Sequence, residues 1–365
     1  GTITGGAGDA AIDIDNEGTG ATTITTAGTV TANEDGYAGI YVSNGENTTG
    51  ITVTQTAGTI TGGSDNAAIY IDNFGTGATT ITTSGTVSGG TAAIYAISAD
   101  GNTFGPSSYA IDIRAGSLSA TTPTAGVIHI VMPGGGTVNI ASGATVNAGG
   151  HDAIALRDGD YEEDGTDDVG GDMVVTTAGN VTGTAILGRG NDTFKLTGGA
   201  WSGNIYGDDL VASASDGNDR FEWSGGDLNS GFYGQNGSDT AIISAGAHYE
   251  GTEILDGGDD RSVNDGWIDT LTLQGVAATA AGSTIINWEN VILDGAHLTI
   301  SDGAWAVGMA DEPSTGLFAI LKHHTNLWLS ACLNQINLSI YARALVTPTP
   351  IRNITMRIRI NMSSR

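Results

Sequence analysis

The chain has 365 residues, 58 of them glycine, and a formal net charge of −28 from 40 acidic and 12 basic side chains. That charge excludes nucleic acid as a partner, since little here would release phosphate counterions, and it opposes binding to an anionic membrane. Sparse Leu, Lys and Arg among Thr, Ala and Asn tracts exclude a helix-rich globule, and the single cysteine, Cys332, excludes an intrachain disulfide.

Residues 1–120 repeat. The phrases "GTIT" at Gly1, "GTVT" at Gly28, "GTIT" at Gly58, "GTVS" at Gly85 and "GSLS" at Gly116 follow one another at 27 to 31 residues. A second series, "AIDID" at Ala11, "GIYVS" at Gly39, "AIYID" at Ala68 and "AIYAI" at Ala93, recurs at 25 to 29 residues. Asp9–Val30 and Asn66–Val87 are nearly identical and lie two such steps apart. A unit of this length has no room for a helix of about 11 residues beside its strands, and it is shorter than a propeller blade of about 40. What remains is an all-β fold, a right-handed parallel β-helix with one coil per repeat and glycine at its corners. Alternation along the strands turns Ile12, Ile14, Ile69 and Ile71 inward. The swapped pairs Asp13/Tyr70 and Glu17/Phe74 fall on the outer face.

Aligning the second series places Asp13, Tyr41, Tyr70, Tyr95 and Asp112 at one outward position. Coils lie about 4.8 Å apart, so Tyr41, Tyr70 and Tyr95 stack along the exterior. Such a row suits contact with a glycan or protein; plain cross-strand stabilisation is the competing reading.

Residues 121–316 continue with larger, more irregular coils, and 1–316 form one β-helical body. The loop "RDGDYEEDGTDD" (Arg157 to Asp168) has the start of a calcium loop but Glu163 at its turn position, and it reads as a solvated insertion or a weak cation site. "GRGNDTFK", "DGNDRF" and "NGSDTA" partly match a calcium-binding nonapeptide, which makes Asp192, Asp219 and Asp239 calcium candidates. Their separations of 27 and 20 residues are not those of tandem nonapeptides. A tight turn whose Asp accepts backbone hydrogen bonds is the alternative.

After Gly316 the composition changes. Residues 321–365 contain no acid and no glycine, but six basic residues and Cys332. This atypical tail reads as out-of-frame or unrelated sequence. The chain opens at a glycine inside a repeat-like phrase with neither an initiator Met nor a signal sequence, which reads as a fragment.

Catalysis has little support. There is no G-x-S-x-G elbow, and His129, His151, His248 and His297 lack metal-ligand spacing. Before the tail the basic residues are Arg114, Arg157, Arg189, Lys195, Arg220 and Arg261. None stands in a phrase typical of β-helical lyases or glycosidases.

The phrases "GTGATTITTAGTVTA", "GRGNDTFKLTGGAWSGNIYGDD", "DGWIDTLTLQG" and "INWENVILDGAHLTISDG" resemble the passenger region of Gram-negative autotransporters (type V secretion) over roughly residues 1–316. The resemblance implies a β-helical, adhesin-like virulence factor on the outer membrane surface or released outside the cell. Its partner would be a host-surface protein or glycan, with no cofactor unless calcium binds. Membrane attachment would come only through a C-terminal β-barrel that this sequence lacks. The alternatives are a β-helical polysaccharide lyase or glycosidase, and a calcium-stabilised structural stalk.

Overall fold

The computed structural model describes residues 1–100, 103–104, 107–123, 125–159, 170–210, 217–258, 266–302 and 307, and three short strands beyond, Ala319–Lys322, Asn326–Leu329 and Met356–Ile358. The acidic loop, apart from Arg157, Asp158 and Gly159, and most of the tail lie outside the described residues.

The chain is a parallel β-helix. Each early coil has three strands, one on each of three faces. Face 1 is an eleven-stranded sheet that starts at Ile12–Asn16 and ends at Ile285–Ile286. Face 2 starts at Thr22–Thr26 and face 3 at Thr2–Thr4. Successive coils pair in parallel, as in Ile12↔Ile40↔Ile69↔Ile94 on face 1 and Ile3↔Val30↔Ile60↔Val87 on face 3. The two near-identical segments are therefore two coils apart and in register. Beyond residue 316, Ala319–Lys322 and Asn326–Leu329 pair in parallel with Val291–Asp294 and His297–Ile300.

β-Branched residues at every second position make the interior a set of stacked apolar columns. On face 2 one column runs Ile24, Val53, Ile81, Ile111, Val138 and Val175, and then widens to Phe194 and Phe221. All are buried in one continuous core. Full burial of each such side chain contributes about 1.5–3 kcal/mol, and each coil seals mainly its neighbours. The later coils fill their interior with rings: Phe194 meets Trp201 edge-on at 4.8 Å and Phe221 stacks on Phe232 at 4.9 Å.

The corner between faces 1 and 2 explains why the asparagine of "IDN" recurs. Asn16, Asn44 and Asn73 are register partners. Each uses its side-chain amide to hold the following turn, Asn44 through the Gly50 carbonyl and Asn73 through the Gly77 carbonyl. The corner between faces 2 and 3 is remade in the later coils. Thr193–Ser202 is one long strand whose front pairs with Val174–Thr177 and whose end pairs with Asn180–Thr182. It bends at Gly199, whose φ of 66° is open to glycine and strained for other residues.

Candidate functional site

Register places the outward position of face 1 in one straight ladder. It runs Asp13, Tyr41, Tyr70, Tyr95, then His129 and Arg157. The three tyrosines stand together as expected, but Asp112 does not join them. Asp112 pairs with Thr82 and Asn139 on face 2, because the coil after Tyr95 spends its next strand there and returns to face 1 only at Ile128. The rung after Tyr95 belongs to His129. The phrase "VIHIV" carried that signal, an outward residue between two inward isoleucines, but without the "AIxI" lettering.

The rings touch in sequence. Tyr41 and Tyr70 have centroids 5.4 Å apart, Tyr70 and Tyr95 4.8 Å, and Tyr95 and His129 4.8 Å. Ile40, Val42, Ile69 and Ile71 anchor the strands from behind, all fully buried. The Tyr41 hydroxyl donates to Asp72 Oδ2 at 2.9 Å. Burial first, and then Asp72, push the Tyr41 pKa up to about 12. Burial likewise raises Asp72 above its usual carboxylate range. His129 Nε2 donates to the Gly159 carbonyl at 3.0 Å, which fixes the ring against the strand.

From His129 onward the ladder is covered, since His129 is itself 7 % exposed. Arg157 is 7 % exposed although it points outward, and it pairs with Asp209 at 3.1 Å. Ile186, the next rung, is fully buried. The ladder reopens at Tyr206 and Tyr233, which stack at 5.0 Å and 23°. This second pair was missed in the sequence because "NIYGD" and "GFYGQ" sit on two- and three-residue strands too short to show alternation.

Asp192, Asp219 and Asp239 are also brought together, as a buried column one coil apart that Asp269 and Glu289 continue. Each backbone N–H in the column donates to the carboxylate of the next coil. The distances are 2.8 Å from Asp192 to Asp219, 2.7 Å from Asp219 to Asp239 and from Asp239 to Asp269, and 2.6 Å from Asp269 to Glu289. Met173 N–H closes the series on Asp192 Oδ1 at 2.6 Å. The last two members have a legible signature: "DTFKL", "DRFEW", "DTAII", "DTLTL" and "ENVIL" all set an acid just before the face 2 strand. Burial, and then the charge of Asp219, push Asp192 up to about 11. A second carboxylate one coil away, in a site closed to water, disfavours the charged form of Asp192. Among the described residues no group of three or more His, Cys, Asp or Glu is arranged to hold a metal ion.

The four histidines named above do not converge. His151 pairs with Asp152 at 3.0 Å, and His248 with Asp227 at 2.6 Å. The latter pair lies in an open polar groove of about 520 Å³ that Glu250 and Glu253 also line. Of the basic residues, Arg114 pairs with Asp112, and Lys195 and Arg220 with Glu222, all on face 2. No family model matches the chain, and neither a curated protein nor a solved structure matches it.

Proposed function

We propose that this chain is a β-helical passenger of the autotransporter type, displayed on a Gram-negative outer membrane or released from it, and that it acts as an adhesin. Face 1 is the binding surface, and its partner is a host-surface protein or glycan. The observation that carries the reading is the continuous row of half-buried rings Tyr41–Tyr70–Tyr95, backed by the buried His129, on a rigid scaffold. A row fixed by stacked strands presents a large area with little rotamer freedom left to lose on binding. Acidic neighbours such as Asp13, Asp15 and Asp72 disfavour polyanionic glycans and favour neutral or basic partners.

The test is binding of the labelled full chain to epithelial cells and to a glycan array, beside a Tyr41→Ser, Tyr70→Ser, Tyr95→Ser triple variant with an unchanged circular dichroism spectrum. A loss of at least tenfold in the variant supports the proposal. Equal binding by both reduces the ladder to a structural role, and no binding by the wild-type chain ends the adhesin reading.

A further inference from the structure

Face 3 carries a second kind of order, independent of face 1. Its first three strands read Thr-Ile-Thr (Thr2–Thr4), Thr-Val-Thr (Thr29–Thr31) and Thr-Ile-Thr (Thr59–Thr61). They pair in exact register, Thr2↔Thr29↔Thr59 and Thr4↔Thr31↔Thr61. The central Ile or Val of the second and third strands is buried, and all six threonines are exposed or half-buried. None of these six hydroxyls makes a hydrogen bond within the described residues. By contrast, Thr22 and Thr79, which point inward, are bonded to the corner asparagines.

The result is a regular lattice of hydroxyl and methyl groups. Its pitch is set by the backbone, about 4.8 Å from coil to coil and about 6.6 Å between alternate residues of one strand. Threonine suits such a lattice because branching at Cβ restricts χ1 on a strand, so neighbouring side chains repeat one conformation. The pattern also extends: the outward residues of the next four strands, Thr86–Gly89, Gly116–Ala120, Ala144–Asn147 and Asn180–Thr182, are all Thr, Ser or Asn. Seven consecutive coils therefore show no charge at these positions on a chain of net charge −28. Face 2 starts with the same Thr-x-Thr motif but is interrupted by Asp112 and its partner Arg114.

A flexible polymer would match this array along one direction at most. A ligand that uses both repeats is itself a two-dimensional array of hydrogen-bonding groups, and the surface of ice, uncharged and with oxygen repeats of the same order, is such an array. We propose that face 3, centred on Thr29–Thr31, binds the surface of ice. The hydroxyls anchor first-layer water at the lattice pitch, and the methyls occupy the spaces between. The stacked strands fix the array beforehand, so little ordering of the protein accompanies binding.

The experiment measures thermal hysteresis and ice-recrystallisation inhibition by the full chain, with serum albumin at equal concentration as the blank. Thr31→Tyr places a bulky ring at the centre of face 3, Thr31→Val removes only a hydroxyl, and Thr54→Tyr is the matching change on face 2. Circular dichroism melts confirm that each variant is folded. The wild-type chain and Thr54→Tyr are expected to open a gap between freezing and melting, which Thr31→Tyr reduces at least tenfold and Thr31→Val reduces partially. A wild-type response no greater than albumin's overturns the proposal. So does a loss confined to Thr54→Tyr, or one equal in both tyrosine variants.

Discussion

Replacing Asp192 by Asn tests whether the buried carboxyl column holds protons. Asp192 is 1 % exposed, and it faces Asp219 in the next coil, with Asp158 and Asp208 nearby. Its folded pKa of about 11 lies far above the ordinary value of 3.8. Folding therefore takes up a proton between these two values. The resulting stabilisation is complete below pH 3.8, falls as pH rises and is lost by about pH 11. At pH 7 the folded value is still higher than the pH, so the loss depends only on the unfolded value and amounts to about 4 kcal/mol. Going from pH 7 to pH 5 restores about 3 kcal/mol of it. Asn keeps the Oδ1 acceptor for the Met173 N–H and carries no titrating proton. Urea unfolding of both proteins at pH 5 and pH 7, followed by circular dichroism, gives the comparison. The wild-type chain should gain about 3 kcal/mol more than Asp192→Asn on acidification, and the variant should be the more stable of the two at pH 7. Equal gains in both proteins would show that Asp192 is ionised in the fold and refute the reasoning.

Four further outcomes follow from the packing. Trp223→Ala, at a fully buried side chain, should destabilise by about 3–5 kcal/mol in urea unfolding. Arg157→Ala removes a buried ion pair to Asp209, and a loss of about 3–5 kcal/mol is expected, with Arg157→Met much milder. Gly136→Ala would drive a methyl into the Tyr109 carbonyl oxygen and to 2.6 Å from its Cδ2, beside the ring whose hydroxyl donates to Asp158 at 3.0 Å. Overpacking there should lower stability by about 1–3 kcal/mol, read as a lower melting temperature. Excess chelator should leave the melting temperature unchanged, since backbone N–H groups already occupy one carboxylate oxygen of each column acid; a fall of several degrees would show that a cation stabilises the fold.

Much of the architecture was legible because a solenoid repeats its local rules. "GTIT" and "AIYID" each report a strand, an inward side chain and a corner, and the distance between copies reports the coil. The candidate surface was legible only where the lettering repeated. Tyr41, Tyr70 and Tyr95 share the "AIxI" frame, whereas His129 and Arg157 occupy the same column in altered phrases. Between Tyr95 and Ile128 a short antiparallel pair, Ala99–Asp100 with Thr103–Phe104, is inserted, and the coil's face 2 strand, "YAIDI", carries the lettering of face 1. Counting phrases along the chain therefore misplaced Asp112. The aspartates of "GNDTF" showed their turn in the sequence, and the phrases "DTLTL" and "ENVIL" repeat the acid before a strand, but that these five acids stack in one column needed the register of the coils.

The sequence alone determines the coil, because alternating β-branched residues and glycine corners are local properties that each repeat states again. It also determines which side chains face outward, since strand parity is set by neighbours two residues away. The tertiary structure decides which outward residues become neighbours, because that depends on how many residues each turn consumes before the next strand begins. A one-coil step brings together residues 20 to 30 positions apart, as in Asp219–Asp239 and Asp239–Asp269. Only that stacking turns isolated acids into a buried column, separate tyrosines into a ladder, and single Thr-x-Thr strands into a lattice.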